Sequence, residues 1–159
     1  MKRSETIIIE NVLYQDLFGA NPSLAKEYGT TEVTIQRKKQ KRELVDFMSY
    51  DPRKDIFRCY EIKVSMNDFH SKAAKSWYGN YNYLVLSREL YMQQSLEEWK
   101  EQVPKHVGII FVNVDAEYKH KKVVKRPEYI DIPKEEKELL KRSLIRTLFY
   151  QNDKNRKKE

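Results

Sequence analysis

Three charged residues stand where apolar ones are expected. Asp46 interrupts Glu43-Leu44-Val45-Asp46-Phe47-Met48-Ser49-Tyr50, and Glu61 and Lys63 interrupt Ile56-Phe57-Arg58-Cys59-Tyr60-Glu61-Ile62-Lys63-Val64-Ser65. Both runs read as strands, rich in β-branched and aromatic residues. Side chains alternate along a strand, so Phe57, Cys59, Glu61, Lys63 and Ser65 share one face, and Asp46 shares a face with Leu44 and Met48. Burying such charges costs on the order of several kcal/mol unless they are paired or hold an ion. Two adjacent carboxylates repel each other, which is poor for stability and good for a hard divalent cation such as Mg²⁺. A lysine beside them can position or activate an attacking water and offset phosphate charge. From spacing alone, Glu61 and Lys63 fit the solvated face of an amphipathic edge strand at least as well.

The elements around these residues decide whether they meet. Asp51-Pro52-Arg53-Lys54-Asp55 is turn chemistry and joins the two runs as a hairpin. Upstream, residues from about Ser4 to Phe18 carry a helical apolar pattern (Ile7, Ile8, Val12, Leu13, Leu17) closed by Gly19. A short turn over Ser23–Tyr28 precedes a strand from Glu32 to Gln36, and Arg37–Arg42 forms a basic loop. Downstream, Ser65 and Asp68 give a helix start, with Phe69, Ala73 and Trp77 on one face and Lys72 and Lys75 roughly opposite. A strand at Tyr81–Leu86, a helix from Arg88 to Val103 capped by Ser87, and a strand at His106–Asn113 follow. Residues 114–133 have no clear pattern. The last helix starts at Pro133, with the stripe Leu140, Leu144 and Leu148 joined by Ile145 and Phe149. The order predicts an α/β sandwich, three layers around one mixed central sheet of about five strands. Its first three strands are antiparallel and the helix-connected ones parallel.

With 159 residues, 4 Gly and 5 Pro, one globular domain is expected over residues 1–150, followed by a frayed, charged tail at 151–159. One cysteine excludes an internal disulfide framework and fits a reducing cytoplasm. His70, His106 and His120 lack metal-ligand spacing, which argues against a structural zinc. No stretch approaches membrane-spanning length. The net charge of +7 favours a polyanionic partner.

A longer set of residues carries a resemblance. Glu32-Val33-Thr34-Ile35, the two runs above, Asp68-Phe69-His70-Ser71-Lys72, Tyr78-Gly79-Asn80-Tyr81-Asn82-Tyr83 and Pro104-Lys105-His106-Val107-Gly108 together resemble the PD-(D/E)XK nuclease superfamily. Within it they look like the MmcB-like DNA-repair proteins of phages and mobile elements. The resemblance spans roughly residues 30–112, with an echo in Ser143-Leu144-Ile145-Arg146. It implies a restriction-endonuclease-like fold and a Mg²⁺- or Mn²⁺-dependent DNA phosphodiesterase. Asp46 and Glu61 would bind the metal with the Ile62 carbonyl, and Lys63 would assist the attacking water. A further acidic residue is Glu10 or Glu32, with Glu32 narrowly preferred as the fourth catalytic group. Val45 stands where the motif name has Pro.

DNA would be contacted by Lys38, Lys39, Lys41 and Arg42 on the basic loop, and by Lys72 and Lys75 on the helix. Tyr78 and Tyr81 are the candidates for stacking on unpaired bases, whereas Trp77, Tyr83 and Cys59 read as core. The competing reading keeps the fold without the chemistry: a DNA-binding, inhibitory or adaptor protein. RNA as the target, and a homodimer for double-strand cuts, both stay open.

Overall fold

Across the Pro52 turn, β2 (Glu43–Asp51) and β3 (Ile56–Lys63) pair antiparallel, with Phe47 opposite Tyr60 and Met48 opposite Cys59. In the computed structural model, which describes residues 2–19, 21–70, 77–115 and 120–158, they lie inside a six-stranded mixed sheet of order β1-β2-β3-β4-β5-β6. β1 (Tyr28–Ile35) joins β2 antiparallel; β4 (Tyr81–Ser87) and β5 (Val107–Val112) extend the sheet in parallel from β3. The fold is α/β, with the sheet flanked by helices.

The sixth strand, β6 (Lys121–Lys125), comes from residues that carry no readable pattern and pairs antiparallel with β5. Its sequence, KKVVK, is short and lysine-rich. That composition hides a strand from hydrophobic periodicity and also suits a sheet edge, where charge discourages pairing with another chain.

One face of the sheet is covered by α1 (Ser4–Phe18), which buries Ile9, Leu13 and Phe18 against Phe47, Tyr60, Ile62 and Val85. On the other face, Phe69 of α2 (Met66–Phe69) and the residues after β4 cover Leu84, Leu86 and Ile109. The single helix expected from Arg88 to Val103 is two: α3 (Arg88–Tyr91) and α4 (Leu96–Glu101). Ser95 and Glu98 form a reciprocal capping box that starts the second, so the chain restarts its helix there. Trp99 is fully buried beside Phe69.

The last helix, α5 (Lys134–Arg156), runs past the expected boundary at Gln151. Its buried residues are Leu140, Ser143, Leu144 and Thr147; Ile145 and Phe149, expected in its core stripe, face outward. The buried face turns toward β1, an edge strand with unpaired backbone groups. The Thr34 amide donates to Thr147 Oγ1 at 3.3 Å, and Gln151 Nε2 donates to the Thr31 carbonyl at 3.0 Å. Leu140 and Leu144 of the expected stripe pack into the core against Val33, Val45 and Met48, while Thr147 and Gln151 satisfy the sheet edge, which explains why the rest of the stripe faces outward.

Asn80 ties three segments together. The Phe57 amide donates to its Oδ1 at 2.9 Å, and its Nδ2 donates to the Ile130 carbonyl at 3.0 Å. Truncating it leaves a buried N–H and a carbonyl without partners, so Asn80→Ala should lower stability by about 2–4 kcal/mol. Denaturant unfolding of the two proteins measures this directly.

Candidate functional site

The β2–β3 ladder ends at Phe47–Tyr60. One residue further on, backbone pairing gives way to a side chain: the Ile62 amide donates to Asp46 Oδ2 at 2.7 Å. A carboxylate bonded to a strand amide marks the place where the two strands part. Between β1 and β2 the register passes from Thr31–Phe47 to Val33–Val45 and skips Glu32. Glu32 adopts a φ of 53°, a left-handed conformation that disfavours a residue with a Cβ by about 1–2 kcal/mol. Glu32, Asp46 and Glu61 therefore fall nearly in line across three neighbouring strands.

A cavity of about 470 Å³ opens beside them, lined among others by Glu10, Glu32, Asp46, Ile62, Lys63 and Asp68. Both candidates for the additional acidic residue are here, and one cation holds them: Lys2 Nζ lies 2.6 Å from Glu10 Oε2 and 3.3 Å from Glu32 Oε1. Lys63 is almost wholly buried, and its Nζ lies 3.7 Å from Asp68 Oδ1.

Glu61 is 5% exposed, and its Oε1 has no hydrogen-bond partner. Burial, and then the neighbouring Asp46 carboxylate, push its pKa up to about 9. Burial also raises Asp46, while the Ile62 amide and the Lys63 ammonium oppose the rise. The two carboxyls face each other closely enough to share a proton. Among the described residues, no group of three or more His, Cys, Asp or Glu side chains is arranged to hold a metal ion. Two carboxylates nevertheless suffice for Mg²⁺, which keeps several waters and takes further oxygens from substrate phosphate. An orphaned buried carboxyl oxygen beside a second carboxyl fits that requirement.

Other expected site residues lie elsewhere. Lys38, Lys39, Lys41 and Arg42 are exposed on the β1–β2 loop, the last four residues from Asp46. Tyr81 sits opposite Arg58, five residues and about 16 Å of strand from Lys63, with its ring against Arg58 and Tyr129. Tyr78 packs at the α5 face, where the Arg37 guanidinium lies 5.9 Å from its ring. Neither tyrosine joins the carboxylates. Lys72 and Lys75 lie outside the described residues. Cys59 is buried, and burial followed by the Glu61 charge raises its thiol far above its usual range, as suits an inert core residue. Trp77 and Tyr83 pack against the core, Tyr83 stacked on Tyr60. Lys2 was not foreseeable: it precedes the helix and belongs to no pattern. Asp68 was legible as a helix-start acid but not as the partner of Lys63.

No protein-family model matches the chain, and no curated protein matches it. Among solved structures it is similar to the SPO1766 protein of unknown function from Silicibacter pomeroyi, with a TM-score of 0.60 at 14% identity. The match covers 82% of this chain and 80% of that one. It is a likeness of fold. Among the described residues, no helix is long and apolar enough to cross a membrane.

Proposed function

We propose that this protein is a divalent-metal-dependent DNA nuclease of the PD-(D/E)XK type, with Asp46, Glu61 and Lys63 as its working residues. The observation that carries the reading is the pairing of a buried Glu61 carboxyl, whose Oε1 has no hydrogen-bond partner, with Asp46 at the point where β2 and β3 part, beside a buried lysine. As structure alone the arrangement is unfavourable, and local rules tend to fail at functional sites. The resemblance noted in the sequence names the same three residues.

Asp46 and Glu61, with the Ile62 carbonyl, would hold Mg²⁺ or Mn²⁺. When bound, the metal supplies Lewis acidity toward phosphate and a more acidic water. The Ile62 amide fixes the orientation of Asp46, so one carboxylate is aimed before any ion arrives. Lys63 brings a positive charge to the cavity wall, where it can hold the attacking water or neutralise the scissile phosphate. Glu32 lines the same cavity and is the candidate for the additional acidic role, with Glu10 as its alternative.

Incubation with supercoiled plasmid, single-stranded circles and branched DNA, in Mg²⁺, Mn²⁺ or EDTA, tests the reading. Cleavage that needs the metal and disappears in Glu61→Ala supports it. DNA binding without cleavage in any metal would instead leave a DNA-binding protein on a nuclease fold.

A further inference from the structure

A groove of about 1490 Å³ lies between the edge strand β1 with its loop and the helix α5. Two kinds of side chain dominate it. Arg37, Lys38 and Arg42 enter from the loop, and Arg142, Arg146 and Lys154 from the helix. Ile145, Phe149 and Tyr150 are 67%, 64% and 57% exposed along the same helix. The three carboxylates facing these six cations are Glu32, Glu135 and Glu136. Arg37 is bound to Glu136 through both ends of its guanidinium, whereas Lys38, Arg142, Arg146 and Lys154 have no ion-pair partner among the described residues.

Spacing gives the cations a direction. On a helix rising 1.5 Å per residue, Arg142, Arg146 and Lys154 span about 18 Å along the axis. That is roughly five nucleotides at the stacked spacing of one strand. The rings of Phe149 and Tyr150 stand within this span at 65° to each other, 5.8 Å between centroids, and the Arg146 guanidinium lies 5.7 Å from the Tyr150 ring. Exposed aromatic faces between unpaired cations suit unstacked bases joined by phosphates. A second copy of the same surface fits poorly, because its arginines would meet their own like charges. The groove also ends at the candidate site: Glu32 lines both this groove and the cavity that contains Asp46 and Lys63.

We infer that the β1–α5 groove holds single-stranded nucleic acid and leads it past Glu32 to the Asp46–Glu61 carboxyls. The binding half of this inference stands on the groove itself; the delivery half rests on the nuclease reading. The stacking role expected for Tyr78 and Tyr81 passes to Phe149 and Tyr150.

The test is fluorescence anisotropy in EDTA, where no cleavage occurs, with labelled dT20, U20 and a 20-bp duplex. Wild type should prefer either single strand to the duplex, and dT20 against U20 shows which sugar it favours. Phe149→Ala with Tyr150→Ala should weaken single-strand binding about tenfold or more while the melting temperature holds, since both rings are exposed. Arg142→Gln with Arg146→Gln should flatten the dependence of log K on log salt by about 1.4. Tighter binding of the duplex, or variants that bind dT20 and U20 as wild type does, would overturn the inference. So would a wild-type dimer that the aromatic substitutions split without changing binding, because the groove would then hold a second copy. Glu61→Gln separates the two readings. Strong single-strand binding by a wild type that cuts nothing in Mg²⁺ or Mn²⁺ leaves the groove standing and removes the nuclease; Glu61-dependent cleavage with groove variants that bind normally does the reverse.

Discussion

Lys63→Met is expected to reduce metal-dependent cleavage by about a hundredfold to ten-thousandfold while leaving the protein folded. A group that stabilises charge on the phosphate or moves the water's proton contributes on the order of 10²–10⁴ in rate, and among the described residues Lys2 is the one other lysine lining the cavity. Lys2, the other lysine of the cavity, is engaged with Glu10 and Glu32. Methionine keeps the length of the buried stem and fills irregular space well. Of the partners left behind, Asp68 is 41% exposed at its side chain and can be solvated, and the Asp46–Glu61 carboxyls can take up a proton in place of the lost ammonium, so no stranded buried charge unfolds the protein. Single-turnover cleavage, a melting curve and DNA binding in EDTA together decide it. Loss of cleavage with binding and melting intact assigns Lys63 to the reaction. Normal cleavage would mean that Lys63 only balances Asp68 and the carboxyl pair, and the role would have to move to another residue.

The sequence carried the frame of the site well, because its signals are local. The Pro52 turn fixes a hairpin, and the β2–β3 register then follows from alternation, so Asp46 and Glu61 had to approach each other. Ser65 caps α2 through the Asp68 amide as its spacing implies. What was not legible depends on partners distant in sequence. Whether Glu10 or Glu32 approaches Asp46 cannot be read from spacing, and the fold answers that both line the cavity, bridged by Lys2. The bend at Glu32 that brings it there is a left-handed residue without glycine, asparagine or aspartate to announce it.

The tyrosines lie apart from the carboxylates for a related reason. Tyr78 and Tyr81 lie near the motif in sequence, but β3 and β4 run parallel, so the start of β4 lies beside the start of β3 and away from Lys63. The exposed aromatic rings of the neighbouring groove sit on α5, some ninety residues beyond Glu61 and on a helix whose apolar periodicity suggests core. That helix buries Leu140 and Leu144 of its apolar stripe in the core and meets the sheet edge through Thr147 and Gln151, so Ile145 and Phe149 stay outside, a division that the stripe alone does not reveal.

The second large effect concerns stability, and its sign reverses with metal. Glu61 ionises near 4.3 in an unfolded chain, whereas burial and Asp46 hold it up to about 9 in the fold. Between those values the folded protein keeps a proton that the unfolded chain has released. The stabilisation is therefore complete below about pH 4.3 and is lost as pH rises toward 9. Glutamine needs no proton to stay neutral. In EDTA, Glu61→Gln should melt above wild type, with a gap that widens from pH 5 to pH 8.5 and reaches about 5–10 °C for a few kcal/mol in a chain of this size. Divalent metal works in the opposite direction: it needs both carboxyls ionised, so binding expels the shared proton and tightens as pH rises. Saturating Mg²⁺ or Mn²⁺ should therefore raise the wild-type melting temperature most at pH 8.5 and leave Glu61→Gln nearly unmoved. The two proteins should exchange order between EDTA and metal. A variant that melts below wild type in EDTA would show that Glu61 makes a structural hydrogen bond instead. Equal stabilisation of both proteins by metal would place the ion somewhere other than between Asp46 and Glu61.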